Sequence, residues 1–315
     1  MTDRFSPVIV IGMHRSGTSM LIRLLEAAGL YAGRTGDNHE AVFFYRIDQW
    51  LMRQSGATWE NPEPIRYLLE NQKVRSMATD YAVRYRIESP RVTAFLGWRD
   101  YLRYRSLFNL PMPWGWKCPL ATYTLPIWLD IFPNAKVIHI YRHGVDVANS
   151  LRQRSLGALQ RTRAQELYYK LRFLHWLRPK PGGFVAGMRC ADLEGGFALW
   201  EEYLSEAHRH TQELGKQATE VRYEDLLSER NGTLKRLADF CGLQVSDEAV
   251  KRGAKQVKQQ RAYAFRGNPE LRLFADQVAM RLAAYNYRED RNLPSEPAPK
   301  CIGLGLPEKL ASLKQ

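Results

Sequence analysis

The stretch VIVIGMHRSGTSMLIRLLEAAGL, Val8 to Leu30, restricts this chain more than any other feature. A short β-rich run ends at Gly12, and a segment with Met20, Leu21, Leu24, Leu25 and Ala28 on one helical face follows, closed by Gly29 as a C-cap. Strand, glycine loop and helix in succession form the opening unit of a parallel α/β sheet. That arrangement gathers backbone N–H groups and the positive end of a helix around one anion. The spacing fits the nucleotide loop G-x-x-x-x-G-K-[ST] except at Thr18, which stands where lysine is required. A cation is present in the loop, but at Arg15, three residues early. Without the lysine that reaches the β- and γ-phosphates, the loop is a poor start for phosphoryl transfer from a triphosphate.

The strand–turn–helix pattern recurs. In AKVIHIYRHGVDVANSLRQ, Val137 to Tyr141 reads as a buried strand that turns through Gly144 into a helix starting near Val145 or Asp146. The helix LATYTLPIWLDIF and the turn FPNAK precede it. A third unit, TEVRYEDLLSERNGTLKRLADFCGL, predicts a strand near Glu220–Tyr223 and two short helices, the second closed by Gly242. Residues 31–113 read as mostly helical, as does 151–181, and helix resumes at GFALWEEYLSEAHRHTQEL. No internal repeat or clear linker is visible. The expected fold is α/β: a P-loop-like three-layer α/β/α arrangement with a central parallel sheet and a helical insertion. The expected organisation is one domain over 1–290, with 151–181 as a basic helical insertion or lid, and an extended tail over 291–315.

GMHRSGTSML resembles the 5′-phosphosulfate loop of the sulfotransferases that use 3′-phosphoadenosine 5′-phosphosulfate (PAPS), which carry [KR]-S-G-T-[ST] there. The resemblance assigns Arg15, Ser16, Gly17, Thr18 and Ser19 to that loop, where the displaced cation is the normal arrangement. KVIHIYRHGVDVANSL is similar to the family's 3′-phosphate motif, which implies Arg142 and Ser150 as a clamp. An arginine at a strand end and a hydroxyl on the next helix can converge on one phosphate, the arginine by a forked, charge-assisted contact. Lys117, followed by Pro119, resembles a K-x-P segment of tyrosylprotein and bacterial branches and would stabilise charge on the sulfonate or its leaving oxygen. VRYEDLL resembles a further signature that places Tyr223 near the nucleotide and has Glu224 and Asp225 cap the following helix. Arg261 and Arg266, in QQRAYAFRGN, stand where the family supplies basic residues to the 3′-phosphate and adenine. These likenesses run intermittently over about residues 7–245.

Sulfonate transfer to an alcohol is an in-line displacement that requires a group to take the acceptor proton. Family branches use glutamate or histidine for this. GDNHEAVFF follows the first helix, and there Glu40 is the first candidate base and His39 the second; Asp37 and Asn38 read as turn residues. His14 and His143 are alternatives. The implied activity is sulfonate transfer from PAPS to an acceptor hydroxyl, with Arg15 and Lys117 stabilising the departing charge and no metal. The alternatives are a metal-dependent P-loop kinase or NTPase, which lacks an acidic magnesium strand here, and a non-catalytic polyanion- or nucleic-acid-binding protein.

That last alternative rests on the net charge of +13, which suits any polyanion. The excess concentrates in residues 151–189, where Arg152, Arg154, Arg161, Arg163, Lys170, Arg172, Arg178, Lys180 and Arg189 face one acid, Glu166. The sulfotransferase reading predicts a hydroxyl-bearing acceptor, anionic or carbohydrate, with peripheral membrane contact allowed and no nucleic acid. Cys118, Cys190, Cys241 and Cys301 form neither a disulfide framework nor a zinc pattern and point to a reducing, cytoplasmic setting.

Overall fold

The structure, a computed structural model, describes residues 5–170, 188–243 and 262–287; the side chains of Asp37 and of residues 159–170 lie outside that description. Among the described residues, four strands, β1 (Val8–Ile11), β2 (Gly115–Lys117), β3 (Lys136–Tyr141) and β4 (Ala218–Arg222), form an all-parallel sheet in the order β2-β1-β3-β4. Parallel strands covered on both faces read as unbroken apolar runs, and every residue of β1 is buried. Strand β2 lies in a segment in which the sequence reading places no strand. Gly115 makes it possible: a Cβ there would sit 2.1 Å from the Val8 carbonyl oxygen, so only glycine lets the strands approach.

Val8 and Val10 of β1 and Ile138 and Ile140 of β3 pack on one face against Leu21, Leu24 and Leu25 of α1 (Thr18–Ala27) and Leu234 and Leu237 of α10 (Arg230–Cys241). On the opposite face lie α6 (Ala121–Ile131) and α8 (Leu193–Leu214). Three layers result, as the alternating units required. Pro126 inside α6 cannot donate to the Thr122 carbonyl; His210 Nε2 of α8 lies 3.0 Å from that oxygen and supplies the missing partner. Helix α1 ends in a left-handed Gly29 (φ 102°), with the Leu30 amide bonded to the Leu25 carbonyl at 2.9 Å.

The region after α1 is helical as expected, with α2 (Val42–Gln54), α3 (Ile65–Glu70), α4 (Gln72–Ala82) and α5 (Thr93–Tyr104), the last broken at Gly97. Trp114, Trp116 and Trp128 are fully buried, with Phe44 stacked on Trp116 at 3.9 Å, so these tryptophans are core. Helix α7 (Gly144–Lys170) starts directly after the β3 turn. Residues 171–181 of the expected insertion and the tail 291–315 lie outside the described residues. Strand β4 ends one residue earlier than the sequence predicts, because Arg222 is the extended cap of α9 (Tyr223–Ser228) and Tyr223 is already helical. Gly242 (φ 74°) closes α10. The chain divides into two compact units, Met1–Ala264 and Phe265–Gln315; the second contains the helices Pro269–Gln277 and Ala279–Ala283. No helix among the described residues is long and apolar enough to cross a membrane.

Candidate active site

The loop between β1 and α1 is shaped by three left-handed residues, Gly12 (φ 136°), Arg15 (φ 72°) and Gly17 (φ 95°). A Cβ on Gly12 would lie 2.2 Å from the Ile140 carbonyl oxygen, and one on Gly17 2.4 Å from the Tyr223 ring. Both glycines are therefore dictated by close approach as well as by φ. The Gly12 amide donates to Thr122 Oγ1 at 3.1 Å. Ser16 is fully buried, and its Oγ has no hydrogen-bond partner among the described residues. A buried hydroxyl in that state is costly unless a ligand completes it. Thr18 is buried in the first turn of α1, and Ser19 Oγ donates to the Asn38 carbonyl at 2.6 Å.

Ser150, on the helix that follows β3, meets this loop. Arg15 Nε donates to Ser150 Oγ at 2.7 Å, so two motifs 135 residues apart meet through one hydrogen bond. Arg142, almost fully buried, pairs with Asp146 (Nη2 to Oδ2, 2.9 Å) and lies over the Tyr223 ring, 4.8 Å from its centroid. The Trp200 indole donates to the Arg142 carbonyl at 3.0 Å, fixing the strand end. Tyr223 thus fills the space under Gly17 and carries Arg142 on its face. Glu224 caps a helix, but not its own: its Oε1 accepts the His143 amide at the start of α7, at 3.0 Å. The i,i+4 spacing of Arg142 and Asp146 is readable in the sequence, although sequence reasoning passed over Asp146.

Lys117 is 1% exposed and completes a third cluster. Its Nζ donates to the Asn38 carbonyl at 2.9 Å and to Glu40 Oε1 at 3.1 Å. Burial lowers the lysine's pKa, and the neighbouring Glu40 carboxylate opposes that shift. The two residues singled out for charge stabilisation and proton removal are therefore in contact, joined to Ser19 through Asn38. His39 is not part of this group: its Nδ1 lies 3.9 Å from Glu26 of α1, and the side chain is 42% exposed. His14 stands edge-on to Trp59 at 5.2 Å, and Arg154 lies over the same indole at 5.4 Å. Burial and the nearby cations Arg154, Lys117 and Arg15 hold His14 neutral, with a pKa down to about 3, which makes it a feeble base. Trp59 and Arg154 had no motif to mark them. Arg261 lies outside the described residues, and Arg266 belongs to the second unit, in the short turn Ala264–Gly267.

A strand-borne glycine loop, a buried hydroxyl without a partner among the described residues, and cations from β2 and from the loops after β1 and β3 form an arrangement that can hold an anion, and comparison with known proteins gives the chain a family. The profile of the sulfotransferase family matches residues 7–247. The chain belongs to the sulfotransferase family. It is an enzyme of sulfonate transfer, and the kinase and polyanion-binder readings are not favoured. Among solved structures, a sulfotransferase from Mycobacterium tuberculosis is similar at 18% identity, covering 89% of this chain and 78% of that one with a TM-score of 0.47. One from Alicyclobacillus acidocaldarius covers 90% and 96% at 15% identity, TM-score 0.44. A mouse sulfotransferase complexed with PAP covers 80% and 64% at 12% identity, TM-score 0.37. A search of curated proteins finds no matching relative.

Proposed function

We propose that this sulfotransferase takes its sulfonate from PAPS, held with the 5′ end on Arg15–Ser19 and the 3′-phosphate on Arg142 and Ser150. The observation that carries the reading is the Arg15–Ser150 hydrogen bond, which brings the 5′ loop and the 3′ clamp to one place. The buried, partnerless Ser16 hydroxyl and the Gly12 and Gly17 cradle fit the same ligand. When bound, PAPS supplies the activated sulfonate and a 3′-phosphate that an ATP site has no means to recognise.

The remaining chemistry belongs to the chain. Backbone N–H groups of the loop and the start of α1 hold the anionic 5′ end. Lys117 and Arg15 present positive charge where the bridging oxygen leaves, in a buried setting that strengthens the interaction. Glu40 takes the acceptor's hydroxyl proton, its carboxylate oriented by Lys117 Nζ at 3.1 Å. Tyr223 positions Arg142, and Asp146 fixes the guanidinium from the other side. No metal is assigned a role in transfer. The acceptor is a hydroxyl compound, and Trp59 with Arg154 beside His14 favours one with a ring and an anionic group. A reducing, cytoplasmic setting suits Cys118, Cys190 and Cys241, all buried free thiols.

The test is calorimetric titration with 3′-phosphoadenosine 5′-phosphate (PAP), AMP and Mg-ATP on wild type and Arg142→Ala. PAP binds more tightly than AMP, and the difference collapses in the variant. Equal or tighter binding of Mg-ATP overturns the reading.

A further inference from the structure

A second cluster of ligating side chains lies on the face of the sheet away from α1. His139 of β3 and Glu220 of β4 are register partners across the parallel ladder, so their side chains leave the same face side by side. Helix α8 runs over that face and brings His208 and Thr211, one turn apart, onto the pair. His139 Nδ1 lies 3.2 Å, His208 Nδ1 2.5 Å and Thr211 Oγ1 2.6 Å from the same oxygen, Glu220 Oε1. One ligand atom from each of His139, His208 and Glu220 falls within 4.8 Å of the other two. The imidazole rings stand nearly perpendicular, 5.3 Å between centroids.

We propose that His139, His208 and Glu220 are the ligands of a zinc-class divalent metal site that clamps α8 to the β3–β4 pair, separate from the transfer chemistry.

Three observations support it. First, a carboxylate oxygen offers two lone-pair sites, and three donors converge on this one. A cation in place of the two imidazole protons turns that crowding into coordination, with both rings carrying their proton on Nε2. Second, the two edges to Glu220 are near the right size, and the His139–His208 edge lies within 4.8 Å. Zinc–nitrogen and zinc–oxygen bonds of about 2.0–2.2 Å at tetrahedral angles put neighbouring ligand atoms about 3.3 Å apart. The His139 edge already has that length, and the His208 edge needs to open by less than about 1 Å at a partly exposed helix side chain. Third, the ligands differ in exposure. His139 is buried, whereas the His208 and Glu220 side chains are 25% and 29% exposed and leave an entry path. Two nitrogens and one carboxylate suit Zn²⁺ rather than Mg²⁺ or Ca²⁺, which take oxygen ligands. The fourth position goes to the Thr211 hydroxyl or to water. His210 on the same helix is committed to the Thr122 carbonyl and Glu206.

The site also touches the loop. A Cβ on Gly12 would fall 3.6 Å from His139 Cδ2, so the His139 ring lies beside the residue from which the phosphate loop springs. A metal clamp here rigidifies the strand ends that carry Arg142 and the loop without meeting the substrate.

The test uses the full chain, tag-free and dialysed against EDTA, titrated with Co²⁺. The expected result is the intense visible absorption of four-coordinate Co²⁺, saturating at one ion per chain and displaced by Zn²⁺. Zn²⁺ should also raise Tm. In His208→Ala and in Glu220→Gln the absorption is lost, or Co²⁺ binds at least tenfold more weakly, and the Zn²⁺ effect on Tm disappears. PAP titration on the same samples reports the nucleotide site independently, and His208→Ala binds PAP within threefold of wild type. Only the weak spectrum of six-coordinate Co²⁺, or wild-type Co²⁺ affinity in His208→Ala, overturns the metal site and leaves a hydrogen-bonded His–Glu–His cluster.

Discussion

Gly17→Ala tests the central packing of the site. Gly17 adopts φ 95°, where an L residue costs about 1–2 kcal/mol. Its new Cβ would stand 2.4 Å from Tyr223 Cδ2 and 2.9 Å from Cε2, so the ring has to move. The ring is buried under the loop and carries Arg142 at 4.8 Å, and overpacking of this kind costs about 1–3 kcal/mol more. Gly17→Ala should therefore destabilise the protein by about 2–5 kcal/mol. Because the displaced ring drags the guanidinium with it, PAP affinity should fall by about tenfold or more. The assay is a cycle of Gly17→Ala, Tyr223→Ala and the double variant, each followed by urea denaturation and PAP titration. Without the ring, the alanine at 17 suffers only its backbone strain. The two substitutions should then couple by about 1–3 kcal/mol, the overpacking cost, beyond the ~0.5 kcal/mol scatter of independent sites. Additive costs would refute the claim that the Gly17–Tyr223 contact, rather than φ alone, dictates glycine.

Ser150→Ala removes the hydroxyl that accepts from Arg15. It should weaken PAP by about tenfold, a charge-assisted hydrogen bond's worth, and leave AMP nearly unchanged in calorimetry. Glu40→Gln should lower turnover by about 10²–10⁴-fold with PAP affinity within threefold, measured as PAPS consumption with an accepted alcohol. Because Glu40 is what opposes the burial-driven lowering of the Lys117 pKa, the residual activity of that variant should also fail at a lower alkaline pH than wild type. Asp48 is fully buried, its carboxyl bonded to Thr124 and Trp128, and burial raises its pKa to about 6. The folded state therefore binds that proton more tightly than the unfolded chain between pH 3.8 and about 6. Stability falls by up to about 3 kcal/mol as pH rises through that window. Asp48→Asn should lose this part of the pH dependence in denaturation midpoints.

The glycine loop after β1 and the turn after β3 were legible as units because their parts are contiguous. Gly12 to Ser19 is one strand–loop–helix unit and Arg142 to Ser150 another, and each follows the chain's own local geometry. The central sheet was legible for the same reason: β1 and β3 are buried apolar runs bounded by glycine turns. Strand β2 was not, since three residues flanked by core tryptophans carry no periodicity and only the approach allowed by Gly115 makes them a strand. The strand expected near Glu220–Tyr223 stops short of Tyr223, an aromatic residue of the kind that favours strands, because the acidic first turn of α9 takes it into the helix.

What stayed hidden shares a cause. The Asn38 carbonyl that joins Ser19 to Lys117 is a backbone atom, and a side-chain motif cannot contain it. His39 and Glu40 were equivalent candidates as neighbours in sequence, yet the left-handed backbone at Asn38 and His39 sends them apart, one to Glu26 and the other to Lys117. His139 and Glu220 are 81 residues apart and meet only through the β3–β4 register, which a one-residue slip would destroy by turning one of them to the opposite face. His208 then has to arrive from a helix whose position over the sheet is set by packing. Residues that act through one element's local geometry can be read in order along the chain. Those that act across elements become visible only once register and packing are fixed. The Glu40–Lys117 contact stands at that boundary: each residue was nameable from its own segment, and their pairing required the loop after α1 to fold back over β2.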